Sequence, residues 1–261
     1  MVSKKAAVPY SKLKIVRKYI SYYFRSSTKS DIHSPFVYEL VDQVVHKRRH
    51  PKTKLIEAER KRLTNSKAEI DFVDYGKAGN LFRKKVADIA KRALKPKKYA
   101  HLLRSIVYHY KAKNVLELGT SLGITTAYLA ADGAQITTME GDPNVANIAQ
   151  NVWGQLGFKN IDCIVGNFDK TLDQLNGKYD VIYIDGNHSY EPTLRYFKHL
   201  HQHAHEDTLF IFDDIHYSKD MERAWNDLQE KTAVTLSVDL FFIGIVSLST
   251  SYTKQHFEVR F

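Results

Sequence analysis

The strongest constraint on the fold is a change of rhythm near residue 113. Beyond it, short strand-like runs alternate with helical segments. NVLEL is followed by the glycine turn GTSLG and a helix through TTAYLAADG, and QITTME by a helix through NVANIAQNVWGQLG. IDCIVG, YDVIYID and TLFIFDD continue the series, with helices between them. Such a βαβαβ pattern with short connections predicts a parallel sheet covered by helices on both faces. The end differs. AVTLSVD and FFIGIVSLST are separated by a short turn and must pair antiparallel, and HFEVRF closes the chain. Ligands in sheets of this kind sit beyond the carboxyl ends of the strands, at the switch point of the strand order.

Before residue 113 helical spacing dominates. In SKLKIVRKYISYYF the apolar positions Leu13, Val16, Ile20 and Tyr23 recur at three- and four-residue intervals between lysines and arginines. A second helix is expected at SPFVYELVDQVV, where Ser34 suits the N-cap and Pro35 the first turn. LFRKKVADIAKRAL reads as a third. KYAHLLRSIVYHY reads as a fourth, with Leu102, Leu103, Ile106, Val107 and Tyr110 on one face. TNSKAEIDFVDYGKAGN between them reads as an irregular connection. The expected organisation is a basic helical extension over residues 1–98, acting as a lid or in substrate binding, and an α/β domain over residues 99–261.

Charge follows the same division. Residues 1–114 hold 29 Lys and Arg against 9 Asp and Glu, whereas the remainder holds 10 against 20. The basic segment therefore meets something anionic, packs on the acidic half, or is a solvated lysine-rich surface. No apolar run approaches the ~20 residues of a membrane span. The N-terminal sequence, interrupted by lysines, does not read as a signal peptide. A single Cys163 excludes a disulfide framework and a multi-cysteine zinc site. A cytoplasmic protein is the expectation.

The strand ends carry the unusual residues. VLELGTSLG places Glu117, Gly119 and Gly123 around a turn between strand and helix, where backbone can approach an anionic ligand group. The spacing is neither GxGxxG nor GxxxxGK[ST], which counts against dinucleotide and P-loop sites. Glu140 ends the second strand, positioned for ribose hydroxyls. Asn167 and Phe168 follow the third, suited to a flat heterocycle. Taken singly, Glu140 could be a helix-terminal charge and Phe168 a packing residue. Three loops suited to one nucleoside, in order, favour the binding reading.

With these motifs the sequence resembles the class I S-adenosylmethionine-dependent methyltransferases over residues 99–261. VLELGTSLGITTAYLA resembles their first motif, TTMEGDP the acidic motif after strand two and GNF the adenine loop. The resemblance implies a Rossmann-like seven-stranded sheet ending in an antiparallel hairpin, preceded by a helical extension. It implies S-adenosylmethionine as cofactor, with Gly119, Thr120 and Ser121 at its methionine end, Glu140 at the ribose and Asn167 with Phe168 at the adenine. Within the class the motifs are most similar to catechol-type and macrolide-sugar O-methyltransferases. HSPF and the basic helices are also similar to bacterial members that carry no functional assignment.

Three carboxylates end two neighbouring strands: Asp185 in VIYIDGNH, then Asp213 and Asp214. Parallel strands lie ~4.8 Å apart, so these acids can share one crevice. Crowded carboxylates raise one another's pKa unless a cation offsets them, and all-oxygen donors suit Mg²⁺. Asp185, Asp213 and Asp214 are therefore candidate metal ligands. Asp185 is equally a cofactor contact or a helix cap. His188 stands three residues on, where the resemblance implies a proton acceptor; imidazoles titrate near neutrality. His188 as a hydrogen-bond donor to an acid is the simpler alternative. His216 in DDIHYS and His33 in DIHSPF are weaker candidates.

The leading expectation is methylation of a small-molecule, sugar or lipid hydroxyl, with or without Mg²⁺. An RNA substrate is the first alternative, with Lys and Arg on phosphates and Tyr22, Tyr23 and Phe24 stacking on bases. DGNH in place of an Asn/Asp-Pro-Pro-aromatic motif, and Cys163 inside a strand, count against base methylation. A non-catalytic membrane-surface or partner-binding module is the second alternative, through the amphipathic segment 11–25. The oligomeric state is open, and a homodimer is compatible with the sequence.

Overall fold

The first helix begins where a serine can cap it. Ser11 Oγ accepts from Lys14 N at 3.3 Å, and α1 spans Lys12–Arg25. The computed structural model describes residues 7–44, 50–74 and 80–261. Of α1 only Tyr22 is buried, while the expected stripe of Leu13, Val16, Ile20 and Tyr23 faces solvent. The reason is a second aromatic face. Tyr22 Oη lies 3.1 Å from the Asp239 carbonyl and also meets that of Val259, and the Tyr19 ring stands edge-on to Phe241. Periodicity finds an apolar stripe but cannot say which of two faces docks. Buried in this way, Tyr22 cannot stack on a base.

α2 spans Pro35–Glu39, with Val37 N donating to Ser34 Oγ, and continues as a π-helical turn over Leu40–Val44. Val45 of that expected helix lies outside the described residues. α3 spans Lys52–Thr64. The stretch expected to be irregular contains a β-hairpin instead: β1, Glu69–Asp74, pairs antiparallel with β2, Asn80–Lys85. The alternation in Ile70, Asp71 and Phe72 carries a period of two, and Phe72 lies opposite Phe82. Residues 75–79 lie outside the described part. The third expected helix therefore begins only at Val86, as α4 (Val86–Ala93). α5 spans Lys97–His109 and buries Leu102, Leu103, Ile106 and Val107, with Tyr110 half-buried at its C-cap.

The alternating series then follows as expected. β3 (Asn114–Leu118), β4 (Gln135–Glu140) and β5 (Ile161–Val165) pair in parallel, with α6 (Ile124–Ala130) and α7 (Pro143–Gln155) between them. The short α8 (Phe168–Thr171) follows β5. α7 begins at a strong stop-and-start signal, with Asp142 Oδ1 accepting from Asn144 N and Val145 N ahead of the helix and Pro143 in its first turn.

β6 (Tyr179–Ile184), α9 (Tyr190–Leu200), β7 (Ala204–Asp213), α10 (Lys219–Glu230), β8 (Leu236–Asp239), β9 (Ile243–Ser247) and β10 (Gln255–Glu258) complete the chain. β6 and β7 are parallel, and β9 lies antiparallel to both β7 and β8. β3 to β9 are the seven expected strands. β10 adds an edge strand, parallel to β8, because residues 248–254 carry the chain back before it starts. Residues Met1–Asp42 with Gly177–Phe261 form one compact unit, and Gln43–Asn176 another.

Each unit has its own core. In the first, Phe197, Phe210, Phe212 and Trp225 stack against one another at ring separations of 5.0 to 6.5 Å. Each buried ring contributes about 1.5–3 kcal/mol. Gly244 is fixed by this cluster, since a Cβ there would stand 2.5 Å from Trp225 Cζ3. In the second, Leu103, Ile106, Leu116 and Tyr128 are fully buried.

One polar network holds the N-terminal segment in the first unit. Tyr10 N donates to the Tyr217 carbonyl at 2.9 Å. The Tyr10 hydroxyl and Lys18 Nζ both reach Glu222 at 2.8 Å. Glu222 Oε1 also lies 3.1 Å from His216 Nδ1, whose Nε2 is 2.7 Å from Asp239 Oδ2. Burial alone would depress His216, but its hydrogen bonds to Asp239 and Glu222 push it up to about 9. Held as an imidazolium by two acids, His216 is a structural pin. Among the described residues no helix is long and apolar enough to cross a membrane.

Candidate active site

The turn after β3 is built from its neighbours' hydrogen bonds. Gly119 N and Thr120 N donate to the Met139 carbonyl, which ties the loop to the end of β4. Below it Glu117 is wholly buried, and the Thr126 and Thr138 hydroxyls donate to its Oε2 at 2.5 and 2.6 Å. Thr120 Oγ1 lies 2.6 Å from Thr138 Oγ1, closing the network. Gly123 has φ +76°, and a Cβ there would meet Trp153 Nε1 at 2.6 Å, where the indole donates to the Gly123 carbonyl. Only a glycine accommodates both that φ and that contact.

Ser121 sits at φ +50°, a conformation that costs a non-glycine residue energy. Its N–H donates to Glu140 Oε2 at 2.8 Å. Its hydroxyl is buried and finds no partner among the described residues. Glu140 Oε1 accepts from Asp142 N at 3.0 Å. Burial raises the Glu140 pKa, and the backbone N–H groups of Asp142, Ser121 and Gly141 offset only part of that rise. A diol donating to this carboxylate would stabilise its charged form. Farther along, Asn167 Oδ1 caps α8 through Asp169 N at 2.9 Å, and half-buried Phe168 opens that helix. The Gly166 N–H donates to the Glu140 carbonyl. Cys163 is pushed up to about 11 by burial and by the charge of Glu140, so it stays a thiol and not a nucleophile.

At the ends of β6 and β7 the chemistry is different. Asp185, His188 and Asp213 each offer one donor atom, and these atoms all lie within 4.8 Å of one another. Asp185 Oδ1 is 3.4 Å from His188 Nε2, and Asp185 Oδ2 accepts from the Tyr183 hydroxyl at 2.9 Å. Asp213 is buried. Asp214 is not part of this group: consecutive residues leave a strand toward opposite sides. Its φ of +53° and the bond from its N–H to the Phe242 carbonyl turn it away from the β7 line. The third member of the cluster is thus an imidazole in place of the expected third carboxylate.

Two residues were not anticipated. Tyr183 lies two positions before Asp185, hence on the same face of β6, a relation visible in the sequence spacing. Asn187 holds the turn at φ +63° with its side-chain amide donating to the Tyr196 hydroxyl, and only a local preference of Asn for that region hinted at it. His33 falls elsewhere. It lines a cavity of about 550 Å³ with Tyr252, Gln255 and His256. β10 runs in the same sense as β7, so its first residue Gln255 is at the edge opposite Asp213.

Residues 116–215 match the family model described as a methyltransferase domain. The match covers less than half of the 261 residues. Every candidate residue from Glu117 to Asp214 lies inside it. A curated relative, the protein-L-isoaspartate O-methyltransferase of Methanococcus maripaludis, is 34% identical over 76 residues, which cover 28% of this chain and 35% of that protein. The match thus spans about a third of the relative's length. Among solved structures, the S-adenosylhomocysteine-bound methyltransferase PaMTH1 of Podospora anserina superposes with a TM-score of 0.59 at 13% identity, covering 93% of this chain and 98% of that one. An O-methyltransferase from Bacillus cereus, also bound to S-adenosylhomocysteine, gives 0.55 at 18%, covering 81% and 97%. TomG of Streptomyces achromogenes, involved in tomaymycin synthesis and bound to S-adenosylmethionine, gives 0.55 at 13%, covering 82% and 96%. These likenesses establish the Rossmann-like methyltransferase fold.

Proposed function

We propose that the protein transfers the methyl group of S-adenosylmethionine to a hydroxyl of a small molecule, sugar or lipid. The observation that carries this reading is the cluster of Asp185, His188 and Asp213 at the carboxyl ends of two parallel strands. The hydroxyl oxygen attacks the methyl carbon, the C–O bond forms as the S–C bond breaks, and S-adenosylhomocysteine leaves. The hydroxyl proton passes to His188, and Asp185 beside it orients the ring and stabilises the imidazolium. The orphaned Ser121 hydroxyl and the Glu140 carboxylate support the cofactor assignment for the β3 and β4 loops. Gly119, Thr120, Asn167 and Phe168 belong to the same assignment.

A divalent cation fits the donor set. Asp185 and Asp213 bring two carboxylates together, one of them buried, and a cation would offset their repulsion. Bound there, it would lower the pKa of the substrate hydroxyl. The reading gives the two carboxylates to the metal and keeps His188 for the proton.

The test combines binding and turnover. Calorimetry with S-adenosylhomocysteine, followed by Mg²⁺ or Mn²⁺, is expected to show uptake of both. Methyl-labelled S-adenosylmethionine is then offered to a panel of hydroxylated acceptors. Absence of S-adenosylhomocysteine binding would remove the whole reading, whereas cofactor binding without cation uptake would remove only the metal.

A further inference from the structure

We propose that the outward face of α1 is a docking surface for an anionic lipid bilayer. The inner face of this helix is spoken for. Tyr22 sits on the Asp239 and Val259 carbonyls, Tyr19 on Phe241, and Lys18 on Glu222. Those three anchors, three and four residues apart, fix the helix's rotation about its own axis. At about 100° per residue, Leu13, Val16, Ile20 and Phe24 then fall on a single stripe roughly 80° wide, centred about 160° away from Tyr22. They are exposed by 62%, 53%, 50% and 79%. Val8, just ahead of the helix, is 80% exposed. Single exposed apolar residues are ordinary, but a continuous stripe over three turns marks a contact surface.

The charge around the stripe decides what covers it. Lys12 flanks it on one side and Arg17 on the other, both exposed. Residues 1–30 contain eight Lys and Arg and no Asp or Glu. In a twofold dimer each patch meets its own copy, so this cationic rim would face another cationic rim. An anionic bilayer satisfies both parts of the surface. The apolar stripe enters the boundary between headgroups and acyl chains, while Lys12 and Arg17 extend to the lipid phosphates. The helix lies along the surface, and at 14 residues interrupted by charge it does not cross the membrane.

The experiment is flotation of the full-length protein with two kinds of vesicle. One is phosphatidylcholine alone, the other phosphatidylcholine with a third of phosphatidylglycerol. The protein is expected to float with the anionic vesicles, to remain behind with the neutral ones, and to be released as salt rises. Ile20→Ser with Phe24→Ser should abolish flotation, and Lys12→Gln and Arg17→Gln should each lower the partition coefficient about fivefold. These side chains already face water, so the melting temperature should not move. If a serine variant nevertheless melts early, the two glutamine variants carry the test, because they leave every apolar contact in place. Wild-type protein that never floats, or stripe variants that float as well as wild type, would overturn the proposal. So would light scattering that shows a dimer dispersed by Phe24→Ser without any vesicle binding, which would assign the stripe to a second copy.

Discussion

At the ends of β3 and β4, polar groups are braced by hydrogen bonds from the same strands and the segments that follow them. Glu117 is held by Thr126 and Thr138, and Glu140 by the N–H groups of Ser121 and Asp142. At the ends of β6 and β7, by contrast, two carboxylates and an imidazole face one another within 4.8 Å. The first arrangement fixes a shape before any ligand arrives. The second sets a charge balance that a proton or a cation can change. Binding needs the former, since ordering a loop at the moment of binding costs affinity. Proton transfer needs the latter, since a base must exist in two protonation states.

The comparison breaks most visibly at His188. His188→Asn is expected to lower kcat by about 10²–10⁴-fold while S-adenosylhomocysteine affinity stays at the wild-type value. Calorimetry and single-turnover kinetics measure the two separately. Equal losses in both would show that His188 serves cofactor binding and not proton transfer alone.

Gly123→Ala attacks the braced side. The methyl group enters the space of Trp153 Nε1 at a positive φ, so a loss of about 2–4 kcal/mol is expected. Urea unfolding reads it as a lower midpoint at unchanged slope. A variant as stable as wild type would mean that the loop relaxes freely, contrary to the bracing argument.

Much of this division was legible in the sequence. Glu140, Gly119 and Asp185 could be placed because each ends a strand whose apolar run stops abruptly, and strand direction then fixes the edge on which they lie. The choice between Asp214 and His188 as third member of the cluster was not legible. It turns on a single φ of +53° at Asp214 and on the hydrogen bond from its N–H to Phe242, twenty-eight residues downstream. The face by which α1 docks was hidden for a related reason. Both of its faces are apolar, and only the carbonyls of Asp239 and Val259, more than two hundred residues away, select Tyr22. The hairpin of β1 and β2 has only a weak signature in the sequence, because its alternation covers few residues and carries many charges. Local pattern found the strand ends; long-range partners decided which side chains turn inward.

Glu140→Gln separates binding from stability with opposite signs. Hydrogen bonds to a charged acceptor are worth about 1.5–3 kcal/mol, so S-adenosylhomocysteine affinity should fall about 10–100-fold. The empty protein should gain stability. The folded-state pKa of Glu140 is raised by burial, so the folded chain holds its proton more tightly than the unfolded chain does. Stability of the wild type therefore falls as pH rises from the ordinary carboxylate range through that raised value, and the glutamine variant escapes this loss. Melting curves without ligand from pH 4 to 8 should diverge upward in favour of the variant. Parallel curves would refute the raised pKa.

The smallest expected effect is at Ser121, and it tests the bracing most finely. Its hydroxyl is buried without a partner among the described residues, an arrangement that costs about 1–3 kcal/mol unless a ligand supplies the bond. Ser121→Ala removes that cost from the empty protein and the bond from the complex. The ligand-free protein should become slightly more stable, and affinity for S-adenosylmethionine should drop about fivefold, near 1 kcal/mol. Ser121→Gly would relieve the positive φ as well, so its additional stability over the alanine variant isolates the backbone strain from the unpaired hydroxyl. If the alanine variant loses stability instead, the hydroxyl is already satisfied by ordered water, and the loop is complete before the cofactor binds.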